Sequence, residues 1–254
     1  MKLKFLGTGA ADWSPEDKSR DEYRRYASIL IDDELLIDPG PHILDFETDF
    51  GYKSLYDRAE NILLTHSHSD HLDIGVLKQL CSVQHRDIWC EKGAVSELDT
   101  DAELTVHEIP LMCEVKVGEY TVTALPANHR TDATDEQPVH FIIEKDDKRI
   151  FYGCDGAWFM QETWYHMKKF TFDLIILDGT LGDAEGDNRI FEHNNLHMTE
   201  IMSESIRKEG MLKDGGKIFI SHLSRYSHGT QQDVEKRLKP SDIKVAYDNL
   251  EVII

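Results

Sequence analysis

At 254 residues the chain is long enough to bury a large core, and 40% hydrophobic beside 30% charged residues is the balance of a globular enzyme. Its net charge of −20, from 28 Lys and Arg against 48 Asp and Glu, repels polyanions and so disfavours DNA or RNA as partners. The start MKLKFLGTGAADW has no apolar signal core, no apolar run reaches the roughly 20 residues of a membrane span, and Cys81, Cys90, Cys113 and Cys154 show no paired spacing. Reduced thiols, a cytoplasmic location and no membrane partner are therefore expected.

In chain order, MKLKFLG alternates as a strand and runs into a glycine turn. ASILIDDELLIDPGP gives two strands joined tightly at Asp32-Asp33 and closed by Pro39-Gly40-Pro41. NILL is a short buried strand that leads directly into Thr65-His66-Ser67-His68-Ser69-Asp70-His71. In LDIGVLKQL, Leu72, Val76, Leu77 and Leu80 fall at helical spacing, which puts Asp70 and His71 near a helix N-terminus. Short strands follow, with Gly118 as a turn, and the charged run ATDEQ (133–137) reads as a solvated loop. HFIIE-KDDK-RIFYG is a hairpin, ETWYHMKKF a helix, and FDLIILD a buried strand opening into a Gly/Asp loop. TEIMSESIRKEGML reads as an amphipathic helix capped by Thr199, followed by the strand GGKIFISHLS and final strands in IKVAYDNLEVII. No repeat or linker interrupts the chain, so one α/β domain over 1–254 is expected, with helices outside two sheets.

Three histidines and a carboxylate within residues 66–71 ask for a chemical reason. His66 and His68, two apart at the end of an extended strand, point to one side and could hold one cation. Asp70 and His71, across the turn into the helix, could face a second. Imidazole with carboxylate suits zinc, and also manganese or iron. This segment cannot close two coordination shells alone, so distant partners are required. His129 after TALPAN, Asp155 after RIFYGC and His222 after KIFIS each sit where an apolar strand ends. Strand ends delivering such residues to one edge are how a layered α/β protein builds a site.

The order HxHxDH, His, Asp, His resembles the metallo-β-lactamase superfamily over nearly the whole chain, from FLGTGAA to YDNLEVII. The resemblance implies a four-layer αββα sandwich with a dinuclear site. His66, His68 and His129 would bind one metal, Asp70, His71 and His222 the other, and Asp155 would bridge them. Asp38 in LLIDPG would orient a ligand histidine from behind, or simply form the turn before Pro39.

The segments NILLTHSHSDHLDIGVL, LPANH, LIILDGT, NNLHMTEIMSES and KIFISHLSRYSH are similar to the phosphodiesterase branch, which includes the tRNA 3′-processing endonucleases and a phosphonate-pathway phosphodiesterase. In that branch a histidine before a helix reaches the scissile phosphate, and His197 would take that place. A non-ligand imidazole there can donate to a phosphoryl oxygen or protonate the leaving alkoxide. The expectation is hydrolysis of a small phosphodiester, cyclic or open, by a bridging hydroxide between two divalent ions, with Asp70 orienting it. A homodimer is also implied. Competing readings are a tRNA endonuclease, a lactonase or thioesterase, and a non-catalytic metal-dependent sensor. Arg225 reads as a phosphate ligand or a surface arginine. His228 reads as solvent-facing or as a further pocket group, and Trp158, Phe159 and Trp164 as core or interface aromatics or as walls of the pocket.

Overall fold

The computed structural model describes residues 1–20, 22–98, 104–133 and 135–254. The first sheet is built from β1 (Lys2–Gly7), β2 (Ser28–Ile31), β3 (Leu35–Ile37), β4 (Asn61–Leu63), β5 (Arg86–Cys90) and β6 (Leu104–Glu108), with successive side chains on opposite faces. The second sheet follows as β7 (Glu114–Val117), β8 (Tyr120–Pro126), β9 (Val139–Lys145), β10 (Lys148–Gly153), β11 (Phe172–Asp178), β12 (Leu212–Ser221) and β13 (Ile243–Val245). The last strand, β14 (Glu251–Ile253), returns to the first sheet beside β1. The orders are β14-β1-β2-β3-β4-β5-β6 and β13-β12-β11-β10-β9-β8-β7. Each sheet begins antiparallel and ends parallel, with the change at β3/β4 and β10/β11.

Alternation explains the layers. Leu3, Phe5, Ile29, Ile31 and Ile37 meet Val122, Phe141, Tyr152 and Ile176 between the sheets. Their neighbours Leu30, Leu36 and Ile62 face outward onto α1 (Asp45–Phe50) and α2 (Ile74–Val83) through Phe46, Leu77 and Leu80. On the other side Ile142, Phe151 and Ile175 face α3 (Gln161–Met167), α4 (Leu196–Lys208) and α5 (Gln231–Leu238) through Met167, Ile206, Val234 and Leu238. Strands buried on both faces are continuous apolar runs, as NILL and LIIL are. The result is the expected α/β sandwich of two mixed sheets flanked by helices. The hairpin at Asp32-Asp33 closes with both residues at positive φ (52° and 61°), the backbone of a type I′ turn.

Two differences from the sequence reading concern helices. α1 and α5 were carried by no expectation above, because each is under nine residues and shows few apolar positions. More consequentially, α4 starts at Leu196 with Asn195 as its N-cap, whose side chain accepts from the Met198 amide. Thr199 therefore lies inside the first turn, with its hydroxyl donating to Leu196 O at 2.7 Å. No helix among the described residues is long and apolar enough to cross a membrane.

Candidate metal centre

Every strand that feeds the site does so at its C-terminal end. Asp38 follows β3, His66 follows β4, His129 lies three residues past β8, Asp155 two past β10, Asp178 ends β11 and His222 follows β12. Asp38, Asp155 and His222 have left-handed backbones (φ 57°, 52° and 60°), so the chain bends sharply as each side chain turns inward. Such conformations cost about 1–3 kcal/mol each in a residue other than glycine. Gly40 lets the Asp38 loop press against the motif: a Cβ there would stand 2.1 Å from Asp70 O.

The side chains form three overlapping groups of potential metal-binding atoms among the described residues: His66, His68, His129 and Asp155; Asp70, His71, Asp155 and His222; and Asp155, Asp178, His193 and His222. The first two contain all seven residues singled out as ligands, divided as the resemblance implied. Asp155 Oδ2 lies 3.3 Å from His66 Nε2, 3.1 Å from His71 Nε2 and 3.6 Å from His129 Nε2. Its Oδ1 lies 2.8 Å from His222 Nδ1 yet has no hydrogen-bond donor aligned on it, though it is fully buried. A buried carboxylate oxygen without a donor, ringed by imidazole nitrogens 3.0–3.4 Å from one another, is an arrangement that suits cations.

A surrounding layer fixes which nitrogen each ring presents. Asp38 accepts from His71 Nδ1 at 2.9 Å, from the Thr65 amide and from the Thr65 hydroxyl, so His71 Nε2 faces inward. Asp38 thus orients one of the candidate ligand histidines as well as turning the chain. His129 Nδ1 donates to Glu192 O at 3.2 Å, leaving its Nε2 3.1 Å from His68 Nδ1. Both oxygens of Glu136 clamp Ser67, one on its amide (2.8 Å) and one on its hydroxyl (2.5 Å). Glu136 belongs to the run expected to be a solvated loop. It is instead half-buried and tied to the motif, while Thr134 of that run lies outside the described residues. His140 Nε2, on β9, donates to Asp155 O at 3.2 Å and so braces the bend that aims this carboxylate.

Charges in the cluster support one another. Burial opposes ionisation of Asp155, but His222, His71 and His129 outweigh it and hold the carboxyl well below its usual range. Burial likewise opposes ionisation of Asp70, and His71 together with the His222 hydrogen bond overcomes it. His222 feels burial too, yet Asp155 and Asp70 push it up to about 10.

The structure does not bring His197 to the cluster. It lies exposed on the first turn of α4. The histidine at the site is His193, four residues earlier. Its Nδ1 is 2.9 Å from Asp178 Oδ2 and 3.3 Å from Thr180 Oγ1, and its ring stacks on His222 at 5.6 Å and packs 5.1 Å from His129. Asn194 secures it: the backbone amide donates to Asp178 Oδ1, and the side-chain amide to Gly156 O. The physical reason is the helix start. With Thr199 as cap, His197 would sit in the approach loop; with Asn195 as cap it rotates onto the outer face. The doublet Asn194-Asn195, a strong capping signal, and the buried stripe Leu196, Thr199, Ser203 and Ile206 could have revealed the earlier start.

The peripheral residues also find places. Arg225 Nη1 pairs with Asp17 at 2.7 Å, and its guanidinium lies over the exposed Tyr226 ring. Neither free surface nor pocket describes His228, whose Nε2 donates to Thr180 O at 3.2 Å beneath the Asp178 loop. Phe159 and Trp164 stack together, and with Trp158 and Ile201 they line a separate 170 Å³ depression between α3 and α4.

A family model described as a beta-lactamase superfamily domain matches residues 33–211. No curated protein matches the chain in sequence. Among solved structures the chain is similar to Zn(2+)-bound PqqB from Methylobacterium extorquens, with 17% identity, full coverage of both chains and a TM-score of 0.77. It is similar to the short form of human tRNase Z, with 21% identity, 100% and 99% coverage and a TM-score of 0.69. Unliganded yeast PDE1 is similar at 10% identity, with 100% and 99% coverage and a TM-score of 0.68.

Proposed function

The chain belongs to the beta-lactamase superfamily, and from that premise we propose that it is a metal-dependent hydrolase acting on a small phosphodiester. His66, His68 and His129 would hold one divalent cation and Asp70, His71 and His222 the second, with Asp155 shared. Zinc, manganese and iron all suit these donors, and zinc is the metal of the similar PqqB structure. Bound there, two cations would offset the substrate's negative charge and supply a water of lowered pKa.

The observation that carries the phosphodiester reading is His193. It stands beside both ligand groups, it is 14% exposed, and its Nδ1 is engaged by Asp178. That leaves Nε2 to meet substrate. Burial lowers its pKa, but the charge and hydrogen bond of Asp178 outweigh this and raise it above the ordinary histidine value. A protonated imidazole so held can donate to a phosphoryl oxygen or pass its proton to the leaving alkoxide. Asp70, kept ionised, orients the attacking water. The similarity to tRNase Z and PDE1 supports the same chemistry, while the net charge of −20 favours a small substrate over tRNA.

The test is turnover of bis-p-nitrophenyl phosphate, cyclic nucleotides, lactones and tRNA by zinc- or manganese-loaded protein. Diester turnover is expected. Lactone turnover without it would overturn the reading, and loaded protein inert to all four would point to a sensor.

A further inference from the structure

A cavity of about 400 Å³ opens directly on Asp70. The loops after β1 and β3 and the start of α2 enclose it. Leu72 gives it an apolar wall and Tyr26 an aromatic one, while Ser69, His42 and Asp73 supply polar groups. The Tyr26 hydroxyl is already given to Trp13 O at 2.7 Å, so this residue offers its ring face. One oxygen of Asp73 caps α2 by accepting from the Val76 amide at 3.0 Å, leaving the other for a ligand. The volume lies within the range of about 300–1,000 Å³ usual for small-molecule sites.

Two features define what fits. First, His193 stacks on the ring face of His222, whereas Asp70 meets the Nε2 edge of that ring at 3.3 Å. The cavity and His193 therefore approach the centre from different sides. Second, no Lys or Arg among the described residues lines the cavity. Asp70 and Asp73 do, whereas Asp45, 3.4 Å from His42 Nδ1, is already paired with Lys18 at 3.0 Å. Away from the metal centre, an anion here would meet Asp73 with no basic side chain of the lining to offset it, in a chain whose net charge is −20.

We propose that this cavity is the subsite for the ester group that stays on phosphorus, and that it takes an uncharged, hydroxyl-bearing ring such as a sugar or nucleoside rather than a group carrying a second phosphate. The proposal rests on the phosphodiester reading above. The apolar walls and the Tyr26 face cover the ring, and Ser69, His42 and Asp73 take its hydroxyls.

The metal-loaded enzyme is assayed on three diesters that share one leaving group: methyl p-nitrophenyl phosphate, thymidine 5′-(p-nitrophenyl phosphate), and the latter bearing a 3′-phosphate. The neutral thymidine ester is expected to have a kcat/KM at least about tenfold above its 3′-phosphorylated analogue, mostly through KM. Asp73→Asn keeps the helix cap and removes one charge, so it should narrow that ratio severalfold. Ala11→Trp, at the exposed rim of the cavity, should raise KM more for the thymidine ester than for the methyl ester. If no diester is turned over, the phosphodiester reading itself falls. If the methyl ester is turned over but the thymidine pair is treated alike, or Ala11→Trp affects all three equally, the subsite is refuted.

Discussion

The loop after β4 and the loop after β11 both serve the same centre, and they are built in opposite ways. The first places His66, His68, Asp70 and His71 within six residues, so its geometry is nearly all local. The second delivers one imidazole, His193, fifteen residues after Asp178, and depends on Asp178, Thr180 and Asn194 to hold it. A dense motif needs its neighbours only for orientation. A sparse one exists only once the neighbours are in place.

Replacing Asp155, which meets side chains of both loops, should have the largest effect. Asp155→Ala removes the only carboxylate shared by all three groups, so elemental analysis should find metal lost from both positions. His193→Ala should retain metal yet lose about 10²–10⁴-fold in kcat. His197→Ala, on the exposed face of α4, should stay close to wild type. The reverse pattern in this pair would restore His197 and sink the Asp178–His193 arrangement.

Changes around the dense motif should be milder. Asp38→Asn weakens the acceptor on His71 Nδ1, and metal affinity should fall about 10–100-fold in a competition titration. Glu136→Gln keeps one acceptor for the Ser67 amide but loses the charged clamp, so its loss should fall below that range; an effect equal to that of Asp38→Asn would show that the dense motif leans on distant neighbours as the sparse one does.

Acidification tests the support beneath the sparse loop. Burial lowers His228 to about 4, with Arg24 adding to it, and burial lowers His140 to about 4 as well. Below about pH 6.5 the unfolded chain takes up protons that the folded chain refuses, so the stability these neutral side chains contribute is present above pH 6.5 and lost as pH falls toward 4. Each contributes at most about 3 kcal/mol to that fall. Melting temperatures of metal-free protein across this window should drop, and less steeply for His228→Gln.

Legibility in the sequence follows the same division. Continuous apolar runs in SILI, LLI and LIIL mark strands covered on both faces, so sheets with a layer on either side could be read directly. The histidine motif could be read because strand-end spacing alone brings its members together. Glu136 could not, because a polar run gives no sign that it will fold back on Ser67. Nor could the cavity on Asp70, whose walls come from three separate stretches of chain.

By itself, then, the sequence determined the two-sheet architecture and the residues that converge as candidate ligands, since both follow from short-range periodicity and strand-end placement. Only the tertiary structure decided between His193 and His197. Asn195 and Thr199 are both competent helix caps four residues apart, and local propensity separates them by too little. Packing of Leu196 against the second sheet's outer face, with Asn194 bonded to Asp178 and Gly156, selects the earlier start and turns His193 toward the centre.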